Sequence, residues 1–320
     1  MEKLKVGSLF AGVGGTCIGF KNAGFNVVWS NEIDKNAAIT YRENFEDVHL
    51  YEGDIHELDP TQLPKVDVLL AGFPCQAFSI AGYRKGFEDD RGNLFFEVMR
   101  LARVLKPQVI FLENVKNLKS HDKGNTYKVI KGTLEAHGYY VKEEVLNSME
   151  YGNVPQNRER IYIVAFKDQK ACERFTFPDK IERTVSIRDV VDENVSDERY
   201  FYTPGKYPNY DEMINEVVHS KDTCYQIRRI YVRENKSNVC PTLTANMGTG
   251  GHNVPLVLTD KGVRKLTPRE CFLLQGFPKT YKLPEKLAIS HLYKQSGNSV
   301  TVTVIERIAT NILNALLAGE

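Results

Sequence analysis

Through the first half of the chain, short dense apolar runs alternate with amphipathic stretches. "KVGSLFAG" reads as a strand ending in the glycines of "AGVGG", and a helix follows through Phe20 to Ala23. "FNVVWS" reads as a second strand and "KNAAITYRENF" as a helix. "VDVLLAG" (66–72) and "QVIFLEN" (108–114) are almost wholly apolar, as strands covered on both faces are. Between them, Phe95, Val98, Leu101 and Leu105 recur at helical spacing within Leu94–Leu105, and "RIYIVAF" (160–166) is a further core strand. The alternation predicts an α/β fold, a sheet with helices on both faces.

After about residue 175 that rhythm stops. From "FTFPDKIERTVS" to "MGTGGHNVPLVLTD" the chain is irregular and turn-rich, whereas "SVTVTVIERIATNILNALLAG" is amphipathic again and predicts a terminal helix returning to the first domain. The expected division is one domain from 1–178 and 288–320, and a smaller irregular one from 179–287.

Composition narrows the picture only a little. A hydrophobic content of 42% and a charged content of 26% are ordinary for a soluble enzyme, and a net charge of +1 requires any nucleic-acid contact to come from a local basic face. Cysteines 17, 75, 172, 224, 240 and 271 lack the close spacing of a zinc site or redox pair, so reduced thiols and no metal are expected. "MEKLKVGSLF" lacks the apolar core of a signal peptide, and no run looks long enough to span a membrane, which points to the cytoplasm.

Gly12, Gly14 and Gly15 lie where a strand turns into a helix, as a backbone approached closely by a cofactor would. Glu32 follows the second strand, 20 residues after Gly12, where an acid commonly receives ribose hydroxyls. Asp54 is a further acid after a third strand. The spacing Gly12-x-Gly14-x-x-Cys17 misses the third glycine of the dinucleotide fingerprint, which favours a cofactor without a pyrophosphate, S-adenosyl-L-methionine being the obvious one. The plainer reading is that these glycines only form a turn.

Cys75 follows the "VDVLLAG" strand in "AGFPCQAFS". Most lone cysteines are small buried hydrophobes, but the surroundings here are small, polar and braced by Pro74. Glu113 ends the next strand in "ENV", and "QNRER" carries Arg158 and Arg160 into another. Each is ordinary alone, a solvated carboxylate or a surface ion pair. Together, "LFAGVGG", "NEID", "GD", "GFPCQAFS", "ENV", "QNRER", "RKLTPRECFLLQGFP" and "GNSV", in this order over residues 9–300, resemble the C5-cytosine DNA methyltransferases of bacterial restriction–modification systems. "FEDDRGNLFF" and "ENVKNLKSHDKGNT" look especially like the GCGC-methylating prototype of that family.

The resemblance implies an S-adenosylmethionine-dependent Rossmann-like α/β fold with a mixed sheet, acting on double-stranded DNA, with a smaller target-recognition domain. It makes Cys75 the nucleophile that adds to cytosine C6, Glu113 the group that contacts N3 and the exocyclic amine, Arg160 the holder of the flipped base or its phosphate, and Arg158 its support. Phe10 and Gly12–Gly15 would flank the cofactor, with Ile33, Ile55, Phe73 and Pro74 lining it. Glu32 would take its ribose, Asp54 its adenine amine, and Asn298 and Ser299 its methionine end. Ser8 and Ile33 depart from the family, which often has aspartate and, in close relatives, tryptophan there. The loop 79–92 would close over the pocket, with Gln76 and Ser79 on the DNA backbone.

"CYQIRRIYVRENK" (224–236) sets Arg228, Arg229, Arg233 and Lys236 against Glu234 alone, a local charge of +3. Arginine is the commonest reader of guanine, although phosphate contact is an equal alternative for either Arg228 or Arg229. Gln226 is a candidate to fill the gap left by a flipped base, and Thr242 lies in "PTLTANMGTGG", similar to the family's Thr-Leu motif. A monomer is expected, with any cognate endonuclease a functional rather than a physical partner. Three rivals are a tRNA cytosine methyltransferase, whose usual Cys-Phe-Thr signature is absent, a catalytically dead DNA-binding regulator, and a nicotinamide dehydrogenase, which the glycine spacing disfavours.

Overall fold

In the computed structural model, residues 2–74, 94–203, 205, 214, 216–228, 231–249 and 253–318 are described. Contacts divide the chain into two compact units, one of Met1–Leu146, Glu159–Pro178 and Ile305–Glu320, the other of Asn147–Arg158 and Asp179–Val304. Residues 147–158 and 288–304 therefore cluster with the second unit.

The first unit is built on β1 (Lys5–Leu9), β2 (Asn26–Glu32), β3 (His49–Glu52), β4 (Val68–Ala71), β5 (Val109–Val115), β6 (Tyr140–Asn147) and β7 (Glu159–Phe166). They form one seven-stranded sheet in the order β3-β2-β1-β4-β5-β7-β6. β1 to β5 pair in parallel, and β7 runs antiparallel to β5. The apolar runs read from the sequence are these strands, and the helix at Leu94–Leu105 has the bounds its periodicity predicts. Phe95, Val98, Leu101 and Leu105 from that helix share a core with Leu69, Ile110, Leu112 and Ile163. Asp34 caps the helix Lys35–Asn44 by accepting from the amides of Asn36 and Ala37, satisfying donors the first turn leaves free.

The C-terminal helix spans Val302–Leu317. With the helix Ile289–Asn298 it makes a stretch apolar enough to cross a membrane on length and composition, contrary to the expectation from the sequence. Ile305, Ile308, Ala309 and Ile312 are fully buried, however, and a Cβ on Gly19 would sit 2.5 Å from Ile305, so the apolarity belongs to a packed core helix.

The second unit is less irregular than its sequence suggests. β8 (Tyr225–Ile227), β9 (Val232–Glu234), β10 (Leu256–Thr259) and β11 (Gly262–Lys265) form a four-stranded antiparallel sheet in the order β11-β10-β8-β9. Beside it, the helix Pro268–Leu274 opens with a capping box between Thr267 and Glu270. Glu270 also takes a two-pronged contact from the fully buried Arg264, at 2.6 and 2.8 Å, and accepts from the Asp192 amide at 2.8 Å. Cys17, Cys172, Cys224, Cys240 and Cys271 are buried free thiols. Burial pushes Cys240 and Cys271 well up, keeping them protonated and unreactive.

Two stability predictions follow from these buried polar groups. Glu270→Ala strands the Arg264 charge and is expected to cost about 3–5 kcal/mol in urea denaturation. Ser8 is buried in β1 and its hydroxyl has no hydrogen-bond partner among the described residues, so Ser8→Ala is expected to leave stability unchanged or raise it by about 1 kcal/mol.

Candidate active site at the carboxyl edge of the sheet

The carboxyl ends of β1 to β5 share one edge of the first unit, and neighbouring strands diverge in connection between β1 and β4, the position where open α/β sheets bind ligands. The loop leaving β1 turns through Phe10, Gly12 and Gly14 at φ of 52°, 55° and 82°. Phe10 in the left-handed region is a strained non-glycine conformation, of a kind that gathers at functional sites. Below the loop, a Cβ on Gly14 would lie 2.2 Å from the Phe45 ring, which stacks on Tyr41 at 4.3 Å. The Tyr41 hydroxyl is tied to Ser30 at 2.6 Å and to Cys17 at 3.4 Å. Above Gly12 a Cβ would meet nothing within 4 Å. Gly14 is thus demanded by packing, and Gly12 faces open space.

Glu32, at the end of β2, is only 8% exposed. Its two oxygens accept from the amides of Gly12 and Asp34, each at 2.7 Å. Burial pushes this carboxyl above its ordinary range, against the pull of those amides. Ile33 beside it is 61% exposed, an uncovered apolar surface next to that carboxylate. Asp54 follows β3, where its carboxylate takes the His56 amide and ring, which hold it below its usual range. Ile55 and Phe73 are core residues, and Pro74 is exposed. Open space over a glycine backbone, a carboxylate and a bare aliphatic side chain fit an adenosyl group.

At the same edge, Glu113 meets Arg160 with Oε1 3.2 Å from Nε, both largely buried. The antiparallel register sets Arg160 opposite Val115, so Glu113 is its diagonal neighbour on one face. A Cβ on Gly72 would lie 3.5 Å from Glu113 Oε2, which brings this pair next to the end of β4. Asn114 donates to the Phe73 carbonyl at 2.8 Å, fixing the backbone that enters Pro74. Cys75, Gln76, Ser79, the rest of the loop 79–92 and Arg229 lie outside the described residues.

The remaining candidates belong to the second unit. Arg158 is 2% exposed and donates to the carbonyls of Leu243, Gly297 and Ser299, at 2.8, 3.2 and 2.5 Å. Its guanidinium clamps three distant backbone carbonyls, whereas that of Arg160 meets the Glu113 carboxylate and the carbonyl of its own neighbour Glu159. Asn298 is exposed and Ser299 buried, and Gly297 approaches so close that a Cβ would be 2.2 Å from the Thr244 carbonyl carbon. The Thr242 hydroxyl donates to the Asn157 carbonyl at 2.7 Å. Gln226 is half-buried on β8 and accepts from the exposed Arg228 at 3.0 Å, at the turn closed by the Arg228 amide on the Tyr231 carbonyl. Sequence reading passed over Asn114, Gln156 and Gln275; an amide inside an apolar run, as in "FLLQGF", was the available signal.

The two loop glycines are expected to separate in thermal denaturation. Gly12→Ala should cost about 1–2 kcal/mol, for the left-handed backbone alone. Gly14→Ala should cost clearly more, because the Phe45 ring must also move.

A family model for C-5 cytosine-specific DNA methylases matches residues 4–314. The type II methyltransferase M.Bsp6I of Bacillus sp. (strain RFL6) is 57% identical over 319 residues, 98% of this chain and 100% of that protein. M.HhaI of Haemophilus parahaemolyticus is 39% identical, covering 96% and 94%. Among solved structures, a DNMT2 mutant of Spodoptera frugiperda shares the fold with a TM-score of 0.74 at 22% identity, covering 97% of this chain and 100% of that one. A putative DNA modification methyltransferase from an Escherichia coli prophage gives 0.72 at 23%, covering 98% and 100%. With the glycine loop and the Glu113–Arg160 pair on one sheet edge, these likenesses establish that the chain belongs to the C-5 cytosine-specific DNA methylases, enzymes whose methyl donor is S-adenosylmethionine.

Proposed function

We propose that this DNA cytosine-5 methyltransferase flips a cytosine out of a short specific duplex site and attacks it through Cys75. The observation that carries the reading is the Glu113–Arg160 pair, next to the strand end that leads through Pro74 to Cys75. Cytosine C5 is a poor nucleophile and is out of reach inside a stacked duplex, from which extrusion costs about a few kcal/mol. The Cys75 thiolate adds to C6 while Glu113 accepts from the exocyclic amine and favours a protonated N3. Arg160 holds the extruded base or its phosphate, and Arg158 acts at one remove by fixing backbone. The bond to C6 makes C5 an enamine carbon able to take the electrophilic sulfonium methyl that S-adenosylmethionine supplies when bound. Loss of the C5 proton then returns the electron pair that expels Cys75.

For the cofactor, we assign Phe10, Gly12, Gly14 and Gly15 to the loop around it, Glu32 to the ribose, Asp54 to the adenine amine and Asn298–Ser299 to the methionine end. Ile33, Ile55, Phe73 and Pro74 complete that site. The division of labour is a catalytic domain of 1–178 and 288–320 and a recognition domain of 179–287. In the latter, Gln226, Arg228, Arg229 and Thr242 face the DNA, and Gln76 and Ser79 contact its backbone. The type II names of the relatives support protection of host DNA in a restriction–modification system. The enzyme acts as a nucleoid-associated cytoplasmic monomer, separate from any endonuclease.

Cys75→Ser is expected to abolish methyl incorporation into duplex DNA while S-adenosylhomocysteine still binds; retained methylation would overturn the covalent mechanism. Bisulfite sequencing of DNA from expressing cells should return one short methylated motif, and tRNA should take up no methyl groups. On that motif, Arg228→Ala should relax choice at one base pair, whereas equal weakening on all sequences would make it a phosphate contact.

A further inference from the structure

Within the second unit, Leu243 is tied to the segment around Asn298 by a chain of buried amides. The Leu243 amide donates to Gln156 Oε1 at 3.1 Å, Gln156 Nε2 donates to Gln275 Oε1 at 3.1 Å, and Gln275 Nε2 donates to the Ser296 carbonyl at 2.9 Å. Gln156, Gln275 and Ser296 have no exposed surface. A second bridge runs beside the first, since Arg158 joins the Leu243 carbonyl to those of Gly297 and Ser299. Thr301 adds a bond to Gln275 Oε1 at 3.1 Å, and itself meets Ser148 at 2.7 Å. Both the amide and the carbonyl of Leu243 are thereby committed to the chain segment 296–299. An amide relay of this kind has one satisfied orientation, and a break leaves buried donors and acceptors without partners.

We propose that Gln275, with Gln156, is a positioning residue that couples duplex recognition at Thr242–Leu243 to cofactor binding at Asn298–Ser299. This rests on the roles assigned to those two segments above. A duplex that seats the Thr242 segment also sets the register of the Asn298–Ser299 segment, so DNA and cofactor each tighten the binding of the other by the same factor.

The test is the dissociation constant of S-adenosylhomocysteine for the full chain, with and without a duplex carrying the methylated motif. In the wild type, DNA is expected to tighten it by roughly 5–150-fold, the usual span of such coupling. Gln275→Met keeps the volume and removes the relay; its ratio should fall to near one, while affinity without DNA changes far less. Gln156→Met breaks the same chain at its other member and should behave alike, giving a second reading should the first variant fold poorly. Thr301→Val removes neighbouring buried bonds but leaves the chain from Leu243 to Ser296 intact and should keep the wild-type ratio; a ratio near one in it as well would mark a general loss of packing and overturn the inference. A wild-type ratio in folded Gln275→Met or Gln156→Met, or no coupling in the wild type, overturns the inference. Unchanged cofactor binding in Asn298→Ala together with unchanged duplex binding in Thr242→Ala would instead overturn the underlying assignment.

Discussion

Arg160 begins a strand, yet it lies where parallel strands end. That is possible only because β7 runs against β5, so the reversal exchanges the two ends and sets a guanidinium 3.2 Å from the carboxylate of Glu113. A parallel strand there would carry Arg160 to the far edge, about 3.3 Å further for every residue of strand length. The ion pair draws on that one pairing, and the Asn114 bond into Phe73 fixes the exit of β4 on the other side of β5. Because both side chains are largely buried, removing either one would leave the other without its counter-charge in a poorly solvated place.

Elsewhere on the same edge, strain and packing are set against each other. Phe10 holds a left-handed backbone, and the Tyr41–Phe45 stack presses against Gly14 from beneath. The rings beneath and the bond from the Gly12 amide to Glu32 both hold the loop in that conformation, offsetting the cost of the left-handed residue. Preorganisation of this sort means that a ligand entering over Gly12 need not order the loop itself.

Much of this was visible in the sequence, for identifiable reasons. "VDVLLAG", "QVIFLEN" and Leu94–Leu105 are long enough for burial and period to speak clearly, and "ENV" and "QNRER" stand out by their odd chemistry, while Cys75 of "GFPCQAFS" lies outside the described residues. The direction of "RIYIVAF" was not visible, since a doubly covered strand reads the same both ways. β8 to β11 have three or four residues each, too few for a period to emerge from a turn-rich stretch. Arg158 and Arg160 look like a pair two residues apart, but one clamps backbone and the other meets a carboxylate; only the folded partners tell them apart.

Arg158 and Gln156 grip Leu243 by its amide and carbonyl, which every residue carries, and not by its side chain. An anchor of that kind is indifferent to the side chains on either side of it. Residues along the neighbouring turn and strands can then be exchanged while the attachment stays constant, because nothing in the joint depends on which side chains they carry.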